Sequence, residues 1–257
     1  MLARMTVELY AVTCGHLTIP SAFLLSKTKG WITVPVPAYV MVHPKGRVVF
    51  DSGMNLRTQT DALGYFGEEG LKYNQPIFEP GEEIAARLTA LSIAAEDVTH
   101  LVNSHLHYDH AGGNAQLPNA EILLQHREWD HAMALPDNDI AYHKGDFDTG
   151  QRVRKLAGEH DLFGDGSIVC VPTYGHTPGH QSLRVQTARG EFVLCGDACY
   201  LKQSLDNLHL PGVIADKEAA LAVLHRFREM QARGAHIMFG HDPDFWRTVP
   251  QAPVRLA

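Results

Sequence analysis

The sequence predicts an α/β protein folded as a four-layer αββα sandwich, with two β-sheets packed together and helices on their outer faces. Three observations predict this architecture. Apolar runs of strand length occur in both halves of the 257-residue chain. Each half also contains a hairpin signal and at least one helical pattern that can cover a sheet. No linker or residue-level repeat divides the chain, so we expect one domain over residues 1–257.

The individual elements follow from apolar periodicity and from turn residues. Pro44-Lys45-Gly46 and Ala188-Arg189-Gly190 each separate two apolar runs and predict two hairpins. Helices are indicated where apolar residues recur every three or four positions, and Gly234 ends the last of them. The predicted strands are 7–12, 36–43, 47–50, 98–102, 121–124, 167–171, 182–187, 191–194 and 236–239, and the predicted helices are 82–91, 126–135 and 217–233.

Residues 14–34 carry few regular signals, and the chain then reaches Pro35-Val36-Pro37. We interpret this stretch as a lid over a site or as an arm that contacts a second copy of the chain. An ordinary surface loop is the alternative. The oligomeric state therefore stays open, with a homodimer as one option.

The composition of the chain argues against several classes of function. It is 45% hydrophobic and 20% charged, which is ordinary for a globular protein. A net charge of −7 and the lack of a basic stripe argue against binding to nucleic acid. Residues 1–8 lack the apolar segment of a signal peptide, and no run is long enough to cross a membrane. The four cysteines form no C-x-x-C pair, so free thiols and a cytoplasmic location are expected.

The most informative stretch runs from residue 104 to residue 113, with the sequence Ser-His-Leu-His-Tyr-Asp-His-Ala-Gly-Gly. It follows a predicted buried strand, and alternate side chains of an extended chain point the same way. His105 and His107 can therefore share one cation. Asp109 and His110 follow where the chain turns out of the strand, so they can reach a second cation beside the first.

Two cations need more ligands, and three candidates each lie just after a predicted strand, where a sheet protein presents loop ligands. They are His180, Asp197 and His241. His176 is interpreted as a turn residue instead, because Pro178 stiffens the loop that would place His180. Imidazole and carboxylate groups suit Zn²⁺ and also Fe, Co or Mn. We therefore expect two divalent transition-metal ions per chain, with Zn²⁺ favoured.

The segment from His105 to His110 resembles the H-x-H-x-D-H signature of the metallo-β-lactamase superfamily. The resemblance extends to the positions of its other ligands, where this chain has His180, Asp197 and His241. Residues 49–53 resemble its early Asp-x-Gly motif. The resemblance covers nearly the whole chain and implies a metallo-β-lactamase-like fold. It also implies two metal sites bridged by Asp197, with His105, His107 and His180 at the first and Asp109, His110 and His241 at the second.

Within that superfamily the chain most resembles the N-acyl homoserine lactone lactonases, which quench quorum-sensing signals. Residues 103–114 and 175–183 are similar to theirs, and so is Asp197-Ala198-Cys199-Tyr200, with a tyrosine three residues after the bridging aspartate. The resemblance implies a hydrolase of carboxylic ester bonds whose metal-bridging hydroxide attacks the carbonyl of a small-molecule lactone. Asp109 would then pass a proton to the leaving alcohol, and Tyr200 would hydrogen-bond the carbonyl oxygen or the adjoining amide.

The other candidate residues have supporting roles. Asp51 is expected to accept a hydrogen bond from a ligand histidine and so to fix the tautomer of its ring, with capping of a turn as the alternative. Tyr65, Phe66 and Tyr108 are expected to line the substrate pocket. The remaining histidines are interpreted as surface or core residues.

Two alternative functions stay open. One is another hydrolase of the same fold, acting on a different lactone or ester, a thioester, a β-lactam or a phosphoester. Asp197 disfavours the common β-lactamases, which carry cysteine at that position, and the short segment after His241 disfavours a glyoxalase-II-like thioesterase. The other is a noncatalytic metal-binding protein, which the complete ligand set disfavours.

Overall fold

The structure is a computed structural model that describes residues 7–137 and 139–257. Residues 1–6, on which most of the argument about a signal peptide rests, lie outside the described part. The strands are β1 Glu8–Pro20, β2 Trp31–His43, β3 Gly46–Phe50, β4 Gln75–Ile77, β5 His100–Val102, β6 Glu121–Gln125, β7 Val153–Leu156, β8 His160–Asp161, β9 Ile168–Pro172, β10 Gln181–Thr187, β11 Gly190–Leu194 and β12 His236–Met238. The helices are α1 Ala62–Leu71, α2 Ile84–Thr89, α3 Tyr108–Ala111, α4 His126–Ala134, α5 Lys144–Phe147, α6 Lys202–Asn207, α7 Lys217–Ala232 and α8 Pro243–Trp246.

The strands form two mixed sheets. The first has seven strands in the order β4-β1-β2-β3-β5-β6-β7, and the second has five in the order β12-β11-β10-β9-β8. Both predicted hairpins are present, as the antiparallel pairs β2–β3 and β10–β11. The strands β3, β5, β6 and β7 run parallel to one another, and β12 runs parallel to β11.

Alternation of side chains along the strands divides the core into three apolar layers. Phe50 and Leu194 belong to the layer between the two sheets. Val49, the neighbour of Phe50, faces the layer beneath the helices that cover the first sheet. Val193 faces the layer beneath α7, where it shares a cluster with Phe227. The two sheets are therefore packed face to face with helices outside, and the predicted αββα fold class is confirmed.

Helix α7 shows how the sequence specifies an outer layer. The Asp216 side chain accepts hydrogen bonds from the backbone N–H groups of Glu218 and Ala219 and so satisfies the helix N-terminus. Its buried residues recur at helical spacing and form one apolar face: Ala220, Val223, Leu224, Phe227 and Met230. Among the helices of the described ranges, none is both long and apolar enough to cross a membrane.

The alternative interpretation of residues 14–34 as an ordinary surface loop is wrong. The strands β1 and β2 extend well into this stretch and pair as a long antiparallel hairpin, in which Ile19 faces Ile32. Apolar periodicity missed them because the register shifts between Thr13 and His16, so the alternation breaks in the middle of a strand. Only the tip of this hairpin is irregular.

The loops that carry the candidate ligands follow the ends of strands. Residues 103–107 follow β5, residues 173–180 follow β9, residues 195–197 follow β11, and residues 239–241 follow β12. The parallel pairs β3–β5 and β11–β12 send these chain segments to one edge of the sandwich. This edge is where polar side chains are brought together.

Candidate metal centre

The segment after β5 turns within a few residues and then forms the single turn of α3. His105 and His107 precede this turn, whereas Asp109 and His110 lie on it. The turn is followed by a close backbone contact that requires glycine, because a Cβ on Gly113 would lie 2.2 Å from a carbonyl oxygen of the segment after β3. The chain therefore bends sharply within the motif, and this bend brings the residues before the turn close to those on it.

Seven side chains converge at this edge as two groups of ligand atoms. Within each group, all ligand atoms lie within 4.8 Å of one another. The first group is His105, His107, His176 and Asp197. The second group is Asp109, His110 and His241.

The carboxylate of Asp197 lies between the two groups. Its Oδ2 is 3.7 Å from Nε2 of His105 and 3.3 Å from Nε2 of His176. Its Oδ1 is 3.1 Å from Nε2 of His110 and 3.2 Å from Nε2 of His241. One oxygen faces each group, which is the arrangement that a bridging carboxylate needs.

Neighbouring acceptors orient three of the imidazole rings. Nδ1 of His110 lies 2.9 Å from Oδ2 of Asp51. The same carboxylate oxygen accepts from Oγ of Ser104 at 2.8 Å, so this hydroxyl can accept in turn from Nδ1 of His105, 2.9 Å away. Nδ1 of His241 donates to a backbone carbonyl of β2 at 2.7 Å. Each of these rings then directs the lone pair of Nε2 into the site.

Burial and the surrounding carboxylates set the protonation of the two groups differently. Burial holds the pKa of His105 well below its usual value and lowers the pKa of His107 to about 4. Burial also opposes charge on His110, but nearby carboxylates, with Asp197 first among them, outweigh it and raise its pKa well above the usual value. Burial would raise the pKa of Asp197, but His110 and His241 hold it well below its usual range. A bound cation would therefore replace a proton in the second group.

The donor set fits divalent transition-metal ions. Nε2 of His110 and Oδ1 of Asp197 are buried without a hydrogen-bond partner although they lie only 3.1 Å apart. In the first group, Nε2 of His176 lies 3.2 Å from Nε2 of His105 and 3.2 Å from Nδ1 of His107. Unpaired buried polar atoms, and ring nitrogens that direct their lone pairs at one another, are costly unless a cation binds them. Imidazole and carboxylate are ligands that Zn²⁺ and related ions accept.

The structure corrects the prediction that His180 is a metal ligand. Both of its ring nitrogens are engaged by the protein, because Nε2 accepts from the backbone N–H of Asp197 at 3.1 Å and Nδ1 lies 2.8 Å from Oγ1 of Thr173. Burial lowers the pKa of His180 to about 3, so the ring is neutral and offers one donor and one acceptor. His180 thus holds the backbone of Asp197, and His176 supplies the third ring of the first group.

The geometry of the loop explains why the sequence analysis chose the wrong histidine. The backbone N–H of Thr173 donates to the carbonyl of His180 at 2.9 Å, which closes residues 173–180 into a loop with His180 at its base. His176 lies in the projecting part of the loop and reaches the first group. Spacing along the chain does not reveal this closure, because His176 and His180 both lie between the predicted strands 167–171 and 182–187.

Tyr200 lies beside the first group. Its Oη is 3.1 Å from Nδ1 of His176. When Nε2 of His176 offers its lone pair to the group, Nδ1 carries the hydrogen and donates to Tyr200, which leaves the phenol hydrogen free. Burial raises the pKa of Tyr200 well above its usual value, so the hydroxyl stays protonated at neutral pH.

A cavity of about 270 Å³ opens over the two groups. Its floor carries polar side chains, and its walls are apolar. The floor includes His107, Asp109, His176, Asp197, Tyr200 and His241. The walls include Leu17, Ile19, Phe23, Leu24 and Val34 of the β1–β2 hairpin, with Tyr73, Tyr108, Ile140 and Val213 from other segments.

Tyr108 lies in the wall of this cavity, but Tyr65 and Phe66 do not, so their assignment to the pocket lining is wrong. The hydroxyl of Tyr65 donates to the buried carboxylate of Asp146. Phe66 packs edge-on against the ring of Tyr108, with the ring centroids 4.8 Å apart. Both residues therefore lie behind the wall of the cavity and support it. Aromatic character alone does not show which residues line a pocket and which lie behind its wall.

The model of the metallo-beta-lactamase superfamily matches residues 31–242 of this chain. The chain belongs to this superfamily. The matched segment contains both groups of ligand atoms, so the family assignment and the geometry of the site concern the same residues.

Relatives within the metallo-beta-lactamase superfamily extend the match. The N-acyl homoserine lactonase AttM of Azorhizobium caulinodans is 35% identical over 229 residues, which cover 86% of this chain and 86% of that protein. The N-acyl homoserine lactonase of Bacillus cereus is 29% identical over 246 residues, which cover 93% of this chain and 94% of that protein. The resemblance inferred from the sequence is therefore confirmed.

A solved structure of the superfamily is also similar to this one. It is an N-acyl homoserine lactone hydrolase with the product N-hexanoyl-L-homoserine bound at its catalytic metal centre. The TM-score is 0.88 at 26% identity, over 98% of this chain and 99% of that chain.

Proposed function

We propose that this protein is a dinuclear metal-dependent hydrolase that opens the lactone ring of N-acyl homoserine lactones. The observation that carries the proposal is Asp197, which presents one oxygen to each group of ligand atoms on the floor of an apolar cavity. A polar, metal-binding floor suits the lactone ring, and apolar walls suit an acyl chain. The activity named for the relatives agrees with both features.

The metal ligands in this proposal are the seven side chains of the two groups, and the ion is zinc. When bound, the two ions would supply a water-derived nucleophile near neutral pH and would polarise the lactone carbonyl. Zn²⁺ is proposed because imidazole and carboxylate oxygen are its usual ligands, although Fe, Co or Mn accept the same set.

The residues of the chain itself position the substrate and move the proton. The Tyr200 hydroxyl accepts a hydrogen bond from Nδ1 of His176, so its own hydrogen can donate to the carbonyl oxygen or the adjoining amide. A water molecule adds its oxygen to the carbonyl carbon and gives one proton to Asp109, the ring C–O bond breaks, and Asp109 returns that proton to the ring oxygen. Asp109 suits this role because its Oδ2 lies 3.6 Å from Nε2 of both His110 and His241 and its side chain borders the cavity. The product is the ring-opened N-acyl homoserine.

The acyl chain would lie along the β1–β2 hairpin, where Leu17, Ile19 and Phe23 form one wall of the cavity. In this proposal residues 14–34 are part of the pocket. Their hairpin is anchored by regular strand pairing rather than being a detached flap.

Two further proposals concern the whole chain. We keep one domain over residues 1–257 as a proposal, because the two sheets share one core layer. We also propose a cytoplasmic location, because Cys14, Cys170, Cys195 and Cys199 are buried free thiols, as is usual in a reducing compartment.

The purified protein is expected to release acid from N-hexanoyl and N-decanoyl homoserine lactones in a pH-stat assay near pH 7. A β-lactam, a thioester and a phosphodiester serve as control substrates. His107→Ala, purified in parallel, reports any spontaneous or contaminating ring opening. Hydrolysis of a control substrate with no acid released from either lactone would reject the lactonase proposal but leave a hydrolase of the same superfamily.

Elemental analysis of the purified protein is expected to find close to two divalent transition-metal ions per chain. The physical reason is that Asp197 presents one oxygen to each group, and its unpaired Oδ1 and the unpaired Nε2 of His110 gain partners when metal ions bind. Removal of the ions with a chelator should abolish lactone opening, and added Zn²⁺ should restore it. One ion or none after expression in metal-rich medium would contradict the dinuclear site.

A further inference from the structure

Glu128 is a buried carboxylate that the proposed chemistry does not use. It lies in the first turn of α4 and is 0% exposed. Among the ion pairs of the described residues, none involves Glu128. Burial raises the pKa of its carboxyl group, and the hydrogen bonds that it accepts oppose this rise. A buried carboxylate without a cation needs several donors to offset the loss of water.

Four donors surround this carboxylate. Oε1 accepts from the backbone N–H of Leu106 at 3.1 Å and from the hydroxyl of Tyr142 at 3.0 Å. Oε2 accepts from the hydroxyl of Thr177 at 2.6 Å and from the backbone N–H of Gly179 at 3.1 Å. Oε1 thus holds the His105–His107 segment together with Tyr142, and Oε2 holds the loop after β9.

These two segments carry all three histidines of the first group. Leu106 stands between His105 and His107, so its N–H fixes the backbone that presents both rings. Thr177 directly follows His176. Tyr142 adds a third contact, because its ring packs edge-on against the ring of His107, with centroids 4.6 Å apart.

The contact between α4 and the loop after β9 is tight. A Cβ on Gly179 would lie 2.0 Å from the backbone nitrogen of Glu128. The loop therefore packs directly on the start of α4. The Glu128 carboxylate lies where α4, this loop and the His105–His107 segment meet.

We propose that Glu128 is a positioning residue of the first metal site, which holds the His105–His107 segment and the His176 loop at the separation that one ion requires. The inference rests on the proposed dinuclear site and deepens it. A carboxylate suits this task because it accepts at both oxygens and carries no hydrogen, whereas glutamine would turn its NH2 group toward the two donors at one of these positions. Glu128 does not contact the substrate cavity and takes no part in proton transfer.

Thr177 offers a sharper test than Glu128 itself, because it allows a matched pair of variants. Thr177→Val keeps the volume but removes the donor to Oε2, whereas Thr177→Ser keeps the donor. We expect Thr177→Val to weaken one of the two stepwise metal affinities by about 10- to 100-fold, the range found for residues that orient metal ligands. Thr177→Ser should restore the affinity of the wild type. Glu128→Gln should weaken the same step.

The measurement is a titration of the chelator-stripped protein with Co²⁺ alone, in competition with a chromophoric chelator, with the visible spectrum of bound Co²⁺ as a second readout. Circular dichroism confirms that each variant is folded. Asp146→Asn is the control, since Asp146 is also a buried carboxylate but accepts from Tyr65 and Asn55, neither of which belongs to the two groups. It should leave both metal affinities unchanged.

The outcomes separate this inference from the proposed function. If the wild type binds two ions and Thr177→Val loses affinity at one step with rescue by Thr177→Ser, the positioning role is supported. If Thr177→Val and Glu128→Gln bind both ions as tightly as the wild type, or behave like Asp146→Asn, the inference is overturned and the dinuclear site stands. If the wild type itself binds fewer than two ions, both proposals fall.

Discussion

His176→Ala is expected to leave the purified protein with fewer than two metal ions per chain and to lower kcat/KM for lactone opening about a thousandfold. His176 contributes the Nε2 atom that lies 3.2 Å from the ligand nitrogens of both His105 and His107, so its loss removes one of three rings from the first group. A bound ion contributes several kcal/mol of transition-state stabilisation, and each ~1.4 kcal/mol corresponds to a factor of ten. Elemental analysis after dialysis and initial rates of acid release measure the two effects.

His180→Ala is the matched control, because both histidines lie in the same short loop. It removes the acceptor for the backbone N–H of Asp197 but no atom of either ligand group. We expect this variant to keep close to two ions and to lose about 10- to 100-fold in activity, as for other residues that orient ligands. The reverse result, with metal lost from His180→Ala and kept by His176→Ala, would return the ligand role to His180.

The fold was predictable because the signals that specify it are local. The strands β3, β6 and β11 are short apolar runs next to clear turn residues, and α7 has one continuous apolar face. The extension of the β1–β2 hairpin beyond the predicted strands 7–12 and 36–43 was not predictable by periodicity, because a register shift between Thr13 and His16 interrupts the alternation. Its pairing is stabilised by contacts across the hairpin rather than by a pattern along one strand.

The two groups of ligand atoms were partly predictable for a similar reason. Asp109 and His110 are fixed by their spacing within one bend of the chain, and Asp197 and His241 by their positions just after strands. The choice between His176 and His180 depends on how the loop after β9 folds back on α4, which only long-range contacts determine. The pocket walls depend even more on such contacts, because Phe66 and Tyr108 belong to the same apolar layer and only Tyr108 reaches the cavity.

Asp109→Asn is expected to cost about a hundredfold to ten-thousandfold in kcat/KM, the range for loss of a positioned proton donor. The variant keeps the shape of the side chain but loses its charge and its ability to accept and return a proton. It should also weaken the second metal site, since Oδ2 of Asp109 faces Nε2 of both His110 and His241. Rates must be compared at matched metal occupancy, because loss of metal would otherwise be mistaken for loss of proton transfer.

Tyr200→Phe is the companion variant, and it should keep both ions and the fold. It removes one hydroxyl, and a substrate hydrogen bond is worth about 0.5–1.5 kcal/mol if neutral and up to roughly 3 kcal/mol if it meets charge. The expected loss in kcat/KM is therefore about threefold to a hundredfold, smaller than for Asp109→Asn.

The same hydroxyl also contacts Nδ1 of His176, so the variant must be assayed with saturating metal. A loss that persists under saturation places the hydroxyl on the substrate, whereas a loss that metal repairs places it on His176. If Tyr200→Phe changed neither rate nor metal affinity with either lactone, Tyr200 would be a packing residue, and the contact proposed between its hydroxyl and the lactone would have to be abandoned.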